Sequence, residues 1–339
     1  MTKISRRLFL ASDASSGGHL KRRFAGDGAR VEIIDTRLVR DPAPDVDDIA
    51  AFFAERHRLH QACPAQCGSW IPYFDLTDAT GFTSIEADWP SVEHVEFWAD
   101  PDPNSQLALL LFLAWIARQD LDTGKLFLVQ GQTRWGEIDA DIPMPPAERV
   151  AVDADRLRLA RDAWSAFRSP TPERWAELLE ADLSPLPRLR ETVAIMLGEL
   201  PDSRTGLSGA ERLMLSTVAS DHVTALHVQL AFVRADPQVL MYWEVGKLLD
   251  QLADPRALAI HGLACGPFDR AMHEEDFEAR YHGFKNSRLT LSDLGRAFLD
   301  GREDYALRRD MDRWWGGTHL TGANCWRWDA ERRMLTPPD

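Results

Sequence analysis

The stretch Leu8-Phe9-Leu10-Ala11-Ser12-Asp13-Ala14-Ser15-Ser16-Gly17-Gly18-His19-Leu20 decides how the chain is read. An apolar run breaks into small polar residues and then enters a helical segment. This is the pattern of a first strand, its turn, and the helix that returns over the sheet. In an open α/β sheet the crossovers bring the strands' carboxyl ends to one edge, where such sheets bind ligands. The turn after Ala11 is therefore where a site is expected.

The turn's residue types suit an anion. Gly17 and Gly18 let backbone amides approach a ligand at a helix start, while Asp13, Ser15 and Ser16 offer carboxylate and hydroxyl contacts. Asp13 and His19 are the candidates for acid–base work, since an imidazole titrates near neutrality. The spacing matches neither the dinucleotide fingerprint nor the phosphate-loop pattern. A tight turn whose Ser or Asp caps the helix explains the same residues, and His19 beside Lys21, Arg22 and Arg23 is equally well a solvated side chain.

Reading outward, Val31 to Ile34 makes a second strand closing on Asp35, and apolar residues at Ile49, Phe52, Phe53 and Leu59 have helical spacing. Pro and Gly interrupt every candidate element between Cys63 and Trp89. The pattern then repeats: a strand at Val95 to Trp98, polar Asp100 and Asp102, a helix from Ser105 to Arg118, and a strand at Lys125 to Val129. In a parallel sheet the polar groups ending the four strands, Asp13, Asp35, Asp100 with Asp102, and Gln130 with Gln132, converge, although turns and helix starts favour acids in any case.

Three motifs carry a family resemblance: Ser12 to Leu20, Arg37-Leu38-Val39-Arg40-Asp41-Pro42, and Glu96-Phe97-Trp98 followed by Asn104-Ser105-Gln106-Leu107. Over about residues 4–140 the chain resembles the bacterial family called domain of unknown function 1835. Ser12 stands where that family commonly has glycine, and Asn104-Ser105 where it commonly has a Ser-Asp pair. The resemblance implies a fold and a candidate site but no reaction. It adds Asp41, Asn104 and Gln106 to the expected ligand-binding set. Ala163 to Arg168, Trp314 to Gly317 and Trp326 to Asp329 resemble C-terminal parts of longer members.

Pro143, Pro145 and Pro146 mark a boundary, after which helical stripes replace strands. Thr171 and Pro172 read as cap and first residue of a helix, and Ser208 to Glu211 as a capping box. Ala257 to Ile260 and Arg288 to Leu291 are expected to pair as a small hairpin, which makes residues 205–301 loosely like a winged helix. Trp314, Trp315, Trp326 and Trp328 then form a docking tail or a lid. The expected architecture is a three-layer, mostly parallel, Rossmann- or flavodoxin-like α/β domain over residues 1–142, then a mainly α-helical domain over 150–339 with the tail at 311–339.

A formal charge of −14 over 339 residues disfavours nucleic acid and anionic membrane as partners. On the winged-helix reading the groove-facing helix would carry Glu244, Asp250 and Asp254 against Lys247, which points to protein contact instead. A small anionic molecule or another protein is the expected partner, in the cytoplasm, since four cysteines make no disulfide framework. Ser5-Arg6-Arg7-Leu8 resembles an export signal but lacks its apolar segment, and Leu107 to Ile116 is too short to span a bilayer. His57, His60, Cys63 and Cys67 have zinc-compatible residue types, against a reading as an exposed helix end with free thiols. No cofactor is assigned; a small-anion-binding protein, catalytic or not, is the first reading, a non-catalytic regulatory or protein-interaction scaffold the second, and a DNA-binding regulator the third.

Overall fold

In a computed structural model that describes residues 6–62, 79–138, 147–235, 239–269, 271–272 and 277–338, the first apolar run is strand β1 (Arg7–Ala11). It pairs with β2 (Arg30–Ile33) on one side and β3 (His94–Ala99) on the other, both parallel. Strand β4 (Leu126–Gln130) extends the sheet in parallel, and β5 (Arg149–Ala151) closes it antiparallel, giving the order β2-β1-β3-β4-β5. Strand β5 comes from the stretch assigned to the helical half. Three residues are too few for alternation to be visible, and their pairing is set by the neighbouring strand.

Successive side chains of a strand face opposite ways, so β1 feeds two layers. Phe9 and Ala11 join Leu20, Val31, Trp98, Val129 and Trp135 beneath helix α1 (Ala14–Arg23). Leu8 and Leu10 face the other layer, formed by α2 (Ile49–Ala62), α3 (Thr80–Asp88) and α4 (Pro103–Ile116). All fourteen residues of α4 are buried, because the sheet covers one side and α5 (Ala154–Phe167) packs on another. The apolar run from Leu107 is thus an interior helix, as its length and uninterrupted apolarity implied.

Helices α6 (Glu173–Glu177), α7 (Leu189–Gly198), α8 (Gly209–Val218), α9 (Ala225–Arg234) and α10 (Tyr242–Leu252) follow. Thr171 does not cap α6: Pro172 holds that position, and the Thr171 hydroxyl bonds the Glu173 side chain at 3.0 Å. The capping box of α8 forms, with Ser208 N donating to Glu211 Oε2 and Glu211 N to Ser208 Oγ. The expected hairpin forms as a two-residue ladder between β6 (Ile260–His261) and β7 (Thr290–Leu291), flanked by α11 (His282–Lys285) and α12 (Asp293–Asp300).

The tail folds as two antiparallel pairs, β8 (Asp312–Trp315) with β9 (Thr318–Thr321) and β10 (Arg327–Asp329) with β11 (Met334–Thr336). Trp315 is fully buried and donates to Met196 O at 2.7 Å, while Ala43 N donates to Gly316 O at 2.9 Å. The turn of this hairpin requires glycine. A Cβ on Gly317 would lie 1.9 Å from Arg168 O, and Gly316 has φ +56 with Phe167 O 2.2 Å from where its Cβ would sit. One continuous buried cluster runs from Leu8 through Trp164 and Leu215 to Trp315 and Trp328. No helix among the described residues is long and apolar enough to cross a membrane.

Candidate functional site

Strand order reverses at β1, whose successor β2 lies on one side and β3 on the other, so the crevice between the ends of β1 and β3 is the switch point where such sheets bind ligands. Asp13 follows β1, and Asp100 and Asp102 follow β3. Asp13 caps α1, its Oδ1 accepting from Ser16 N at 2.9 Å, and Asp102 caps α4, accepting from Ser105 N at 3.1 Å. Both caps satisfy first-turn amides that have no partner within the helix. Asp and Ser therefore stand at these positions for a local reason, and the same reason brings their carboxyls to the crevice.

A hydrogen-bond chain crosses the edge. Ser16 Oγ lies 3.1 Å from Asp13 Oδ2 and 2.6 Å from Asp100 Oδ2, while Asp100 Oδ1 accepts from Trp135 N at 2.6 Å. Ser105 Oγ accepts from Asp100 N at 2.8 Å and lies 2.7 Å from Ser12 Oγ. Gln106 Nε2 donates to Asp100 O at 2.6 Å, and Gln130 Nε2 to Gln106 Oε1 at 3.2 Å. Asn104 Oδ1 accepts from Leu38 N and Val39 N at 2.8 and 3.2 Å, which pins the segment leaving β2. Asn104 and Gln106 thus hold the backbone around the edge.

Asp35 sits at the end of β2, its Oδ1 2.9 Å from Arg37 Nε, and Arg134 Nη2 lies 3.9 Å from Asp13 Oδ2. Fully ionised, Asp13, Asp35, Asp100 and Asp102 would exceed these two guanidinium charges by two. Proteins relieve such an excess by keeping protons. Burial pushes the Asp100 carboxyl well up, with Asp102 and Asp13 adding to it. Burial also raises Asp102, against the pull of Arg134, and raises Asp35 to about 6, against Arg37 and with help from Asp13.

The remaining expected residues are placed differently. Gly17 meets the sheet: a Cβ there would lie 2.7 Å from Ile33 Cγ1, so glycine lets α1 approach β2. Gly17 N is used within the helix, donating to Asp13 O at 2.9 Å. Gly18 faces open space, and Ser15 is exposed with its hydroxyl 3.4 Å from Gly136 O. His19 is buried and bonds none of the four carboxyls. Burial lowers its pKa, opposed by the Ile138 backbone and reinforced by Arg22 and Arg23. Asp41 is buried beside Arg56, whose Nη2 lies 3.2 Å from its Oδ2.

His60 is also buried near Asp41, at 3.7 Å, and burial pushes its pKa down to about 3, with Arg56 and His57 adding. Cys63 and Cys67 lie outside the described residues, and so does any site that they complete. Among the described residues no group of three His, Cys, Asp or Glu side chains is disposed to hold a metal ion.

Arg37, Arg134, Ser12 and Ser105 were not expected at this edge. Arg37 adopts φ +44, and its guanidinium lies 5.3 Å from the Trp243 ring on α10, so the helical half reaches the site. Arg134 comes from the loop after β4, four residues past the strand. The readable signal was only that both follow strand ends. No protein-family model matches the chain, and a search of curated proteins found no match.

Proposed function

We propose that the carboxyl edge at the β1/β3 switch point binds a small hydroxylated anion of the nucleotide or phosphometabolite class. One observation carries this reading: four carboxyls and two guanidinium groups meet at the one crevice where strand order reverses. Carboxylates in such crevices accept from ligand hydroxyls, and arginine is suited to phosphate. Asp13, Asp35 and Asp102 take the hydroxyl part in this reading, and Arg37 and Arg134 the anionic part. The first turn of α1 is already capped by Asp13, so a bare phosphate on those amides would meet a carboxylate. Fully buried Asp100 orients Ser16 and Trp135 N and holds a proton more readily than an ordinary aspartate.

The finer architecture belongs to the same reading. The order β2-β1-β3-β4-β5 is that of flavodoxin-like sheets, except that β5 runs antiparallel. We read α8 to α10 with the β6–β7 ladder as winged-helix-like, serving internal contact. The third helix of that unit turns Trp243 to Arg37, and Glu244 and Lys247 line a cavity shared with Arg40. The likeness of residues 4–140 to domain of unknown function 1835 bears on the fold alone.

Calorimetric titration with a panel of nucleoside phosphates and sugar phosphates tests the proposal. A saturable ligand is expected, with binding weakened at least about tenfold in Arg134→Gln, as loss of a charge-assisted hydrogen bond implies. If no compound binds while affinity capture yields a stoichiometric protein partner blocked by the same substitution, the edge is a protein-contact surface.

A further inference from the structure

A cavity of about 270 Å³ lies away from the sheet edge, bounded by the segment after β2, helix α10 and residues 309–313. Basic and acidic side chains line it in equal number, so it carries no surplus of either sign. A ligand with a net charge would upset that balance in a partly dry site, which is costly. What the wall offers a ligand depends on which of its charges are still unpaired.

All but two are engaged. Arg40 donates to Glu199 at 2.9 Å, and Arg313 to the Glu199 backbone oxygen at 2.6 Å. Arg309 donates to Glu211 at 2.7 Å and lies over the Tyr305 ring. Arg256 holds both Asp254, at 2.8 Å, and Asp310. Asp41 is met by Arg56 at 3.2 Å, and Asp312 by His319 at 2.6 Å. One carboxyl and one ammonium remain, those of Glu244 and Lys247 on α10.

Glutamate and lysine three residues apart on a helix ordinarily meet as an ion pair. These two do not, and the helix start gives the reason. Glu244 is the third residue of α10 and turns back to the residue before the helix, its Oε2 accepting from Met241 N at 2.8 Å. That bond satisfies an end amide and draws the carboxyl away from Lys247. Glu244 Oε1 has no partner among the described residues. Burial raises the Glu244 carboxyl, opposed by Met241 N and, through space, by Arg37 and Arg40. Lys247 draws down the Asp250 carboxyl without pairing with it, and Asp250 Oδ2 is taken by Phe268 N at 2.5 Å. Between these polar groups the wall is apolar, with Leu248, Ala257 and Met311 all buried.

We propose that this cavity binds a small zwitterion, an α-amino acid with an aliphatic side chain, its ammonium donating to Glu244 Oε1 and its carboxylate accepting from Lys247 Nζ. The two charged ends of such a ligand sit on one carbon. Two groups on one helix face, about 4.5 Å apart along the axis, can hold both. The ligand adds no net charge to a balanced wall, and its side chain faces Leu248, Ala257 and Met311. The volume is about nine times a water's share of the liquid, which suits a ligand of about the size of leucine. Neither Glu244 nor Lys247 belongs to the sheet edge, so the two sites stand or fall separately.

The test titrates full-length protein with alanine, valine, leucine and methionine by calorimetry and thermal melting. Saturable binding and a raised melting temperature are expected for at least one of them. 3-Methylbutylamine and 4-methylpentanoate each keep the carbon chain of leucine but only one of its charged ends, and each should bind at least about tenfold more weakly than leucine. Lys247→Met keeps the aliphatic stem and should bring leucine down to the level of 3-methylbutylamine. Glu244→Gln keeps an acceptor for Met241 N and should weaken leucine by a similar factor, while Arg134→Gln at the sheet edge leaves it unchanged. The absence of saturable binding by all four amino acids would overturn the proposal. So would single-ended compounds that bind the wild type as tightly as leucine, a comparison that needs no variant to fold, or leucine binding that survives both α10 substitutions.

Discussion

Replacing Asp35 with asparagine measures how much negative charge the sheet edge stores. Burial raises the Asp35 carboxyl from 3.8 to about 6, against Arg37 and with help from Asp13 and Asp102. The folded state then binds this proton more tightly than the unfolded chain, so stability falls as pH rises through the interval between those values and stays reduced above it. At about 1.36 kcal/mol per pH unit, the penalty approaches about 3 kcal/mol at pH 8. The side chain is 14% exposed, so solvent screens little of it. Asparagine keeps the shape and an acceptor for Arg37 while carrying no charge. Urea unfolding followed by tryptophan fluorescence should therefore show Asp35→Asn more stable than wild type by up to about 3 kcal/mol at pH 8, with the gap closing toward pH 4. A variant no more stable at pH 8, or a gain that does not vary with pH, would refute the claim that these carboxyls are crowded in a low-dielectric crevice.

Gly17→Ala should destabilise by about 1–3 kcal/mol because its methyl meets Ile33, whereas Gly18→Ala, in open space, should gain up to about 1 kcal/mol of helix propensity; urea midpoints showing the reverse order would show that α1 sits differently. Ser16→Ala removes the hydroxyl between Asp13 and Asp100 and should cost about 1–3 kcal/mol. The same change should raise the Asp100 pKa further, seen as a carboxyl titration moving up by NMR. Trp315→Ala empties a fully buried site and breaks the bond to Met196 O, for a loss of about 3–5 kcal/mol. An unchanged midpoint would mean that the tail is not docked on α7.

What the sequence determined by itself is local. Short apolar runs ending in polar turn residues marked β1, β2, β3 and β4, and an unbroken apolar stretch marked the buried α4, since each reports a segment that avoids water. Asp13 and Ser208 were legible as helix caps because a cap is satisfied within three residues. The arrival of four aspartates at one edge also followed, once a parallel sheet was assumed. Tertiary structure decided everything that depends on burial or on distant partners. It turned Gly17 from an anion contact into a packing contact, took His19 inside, and made Asn104 a clamp on the backbone of Leu38 and Val39. It brought Arg37 and Arg134 to the carboxyls, and it recruited Arg149 to Ala151 as an edge strand. Arg40, Arg309 and Arg313 lie up to 273 positions apart in the chain, and no periodicity or spacing rule spans that distance. Their meeting exists only once the core has closed around them.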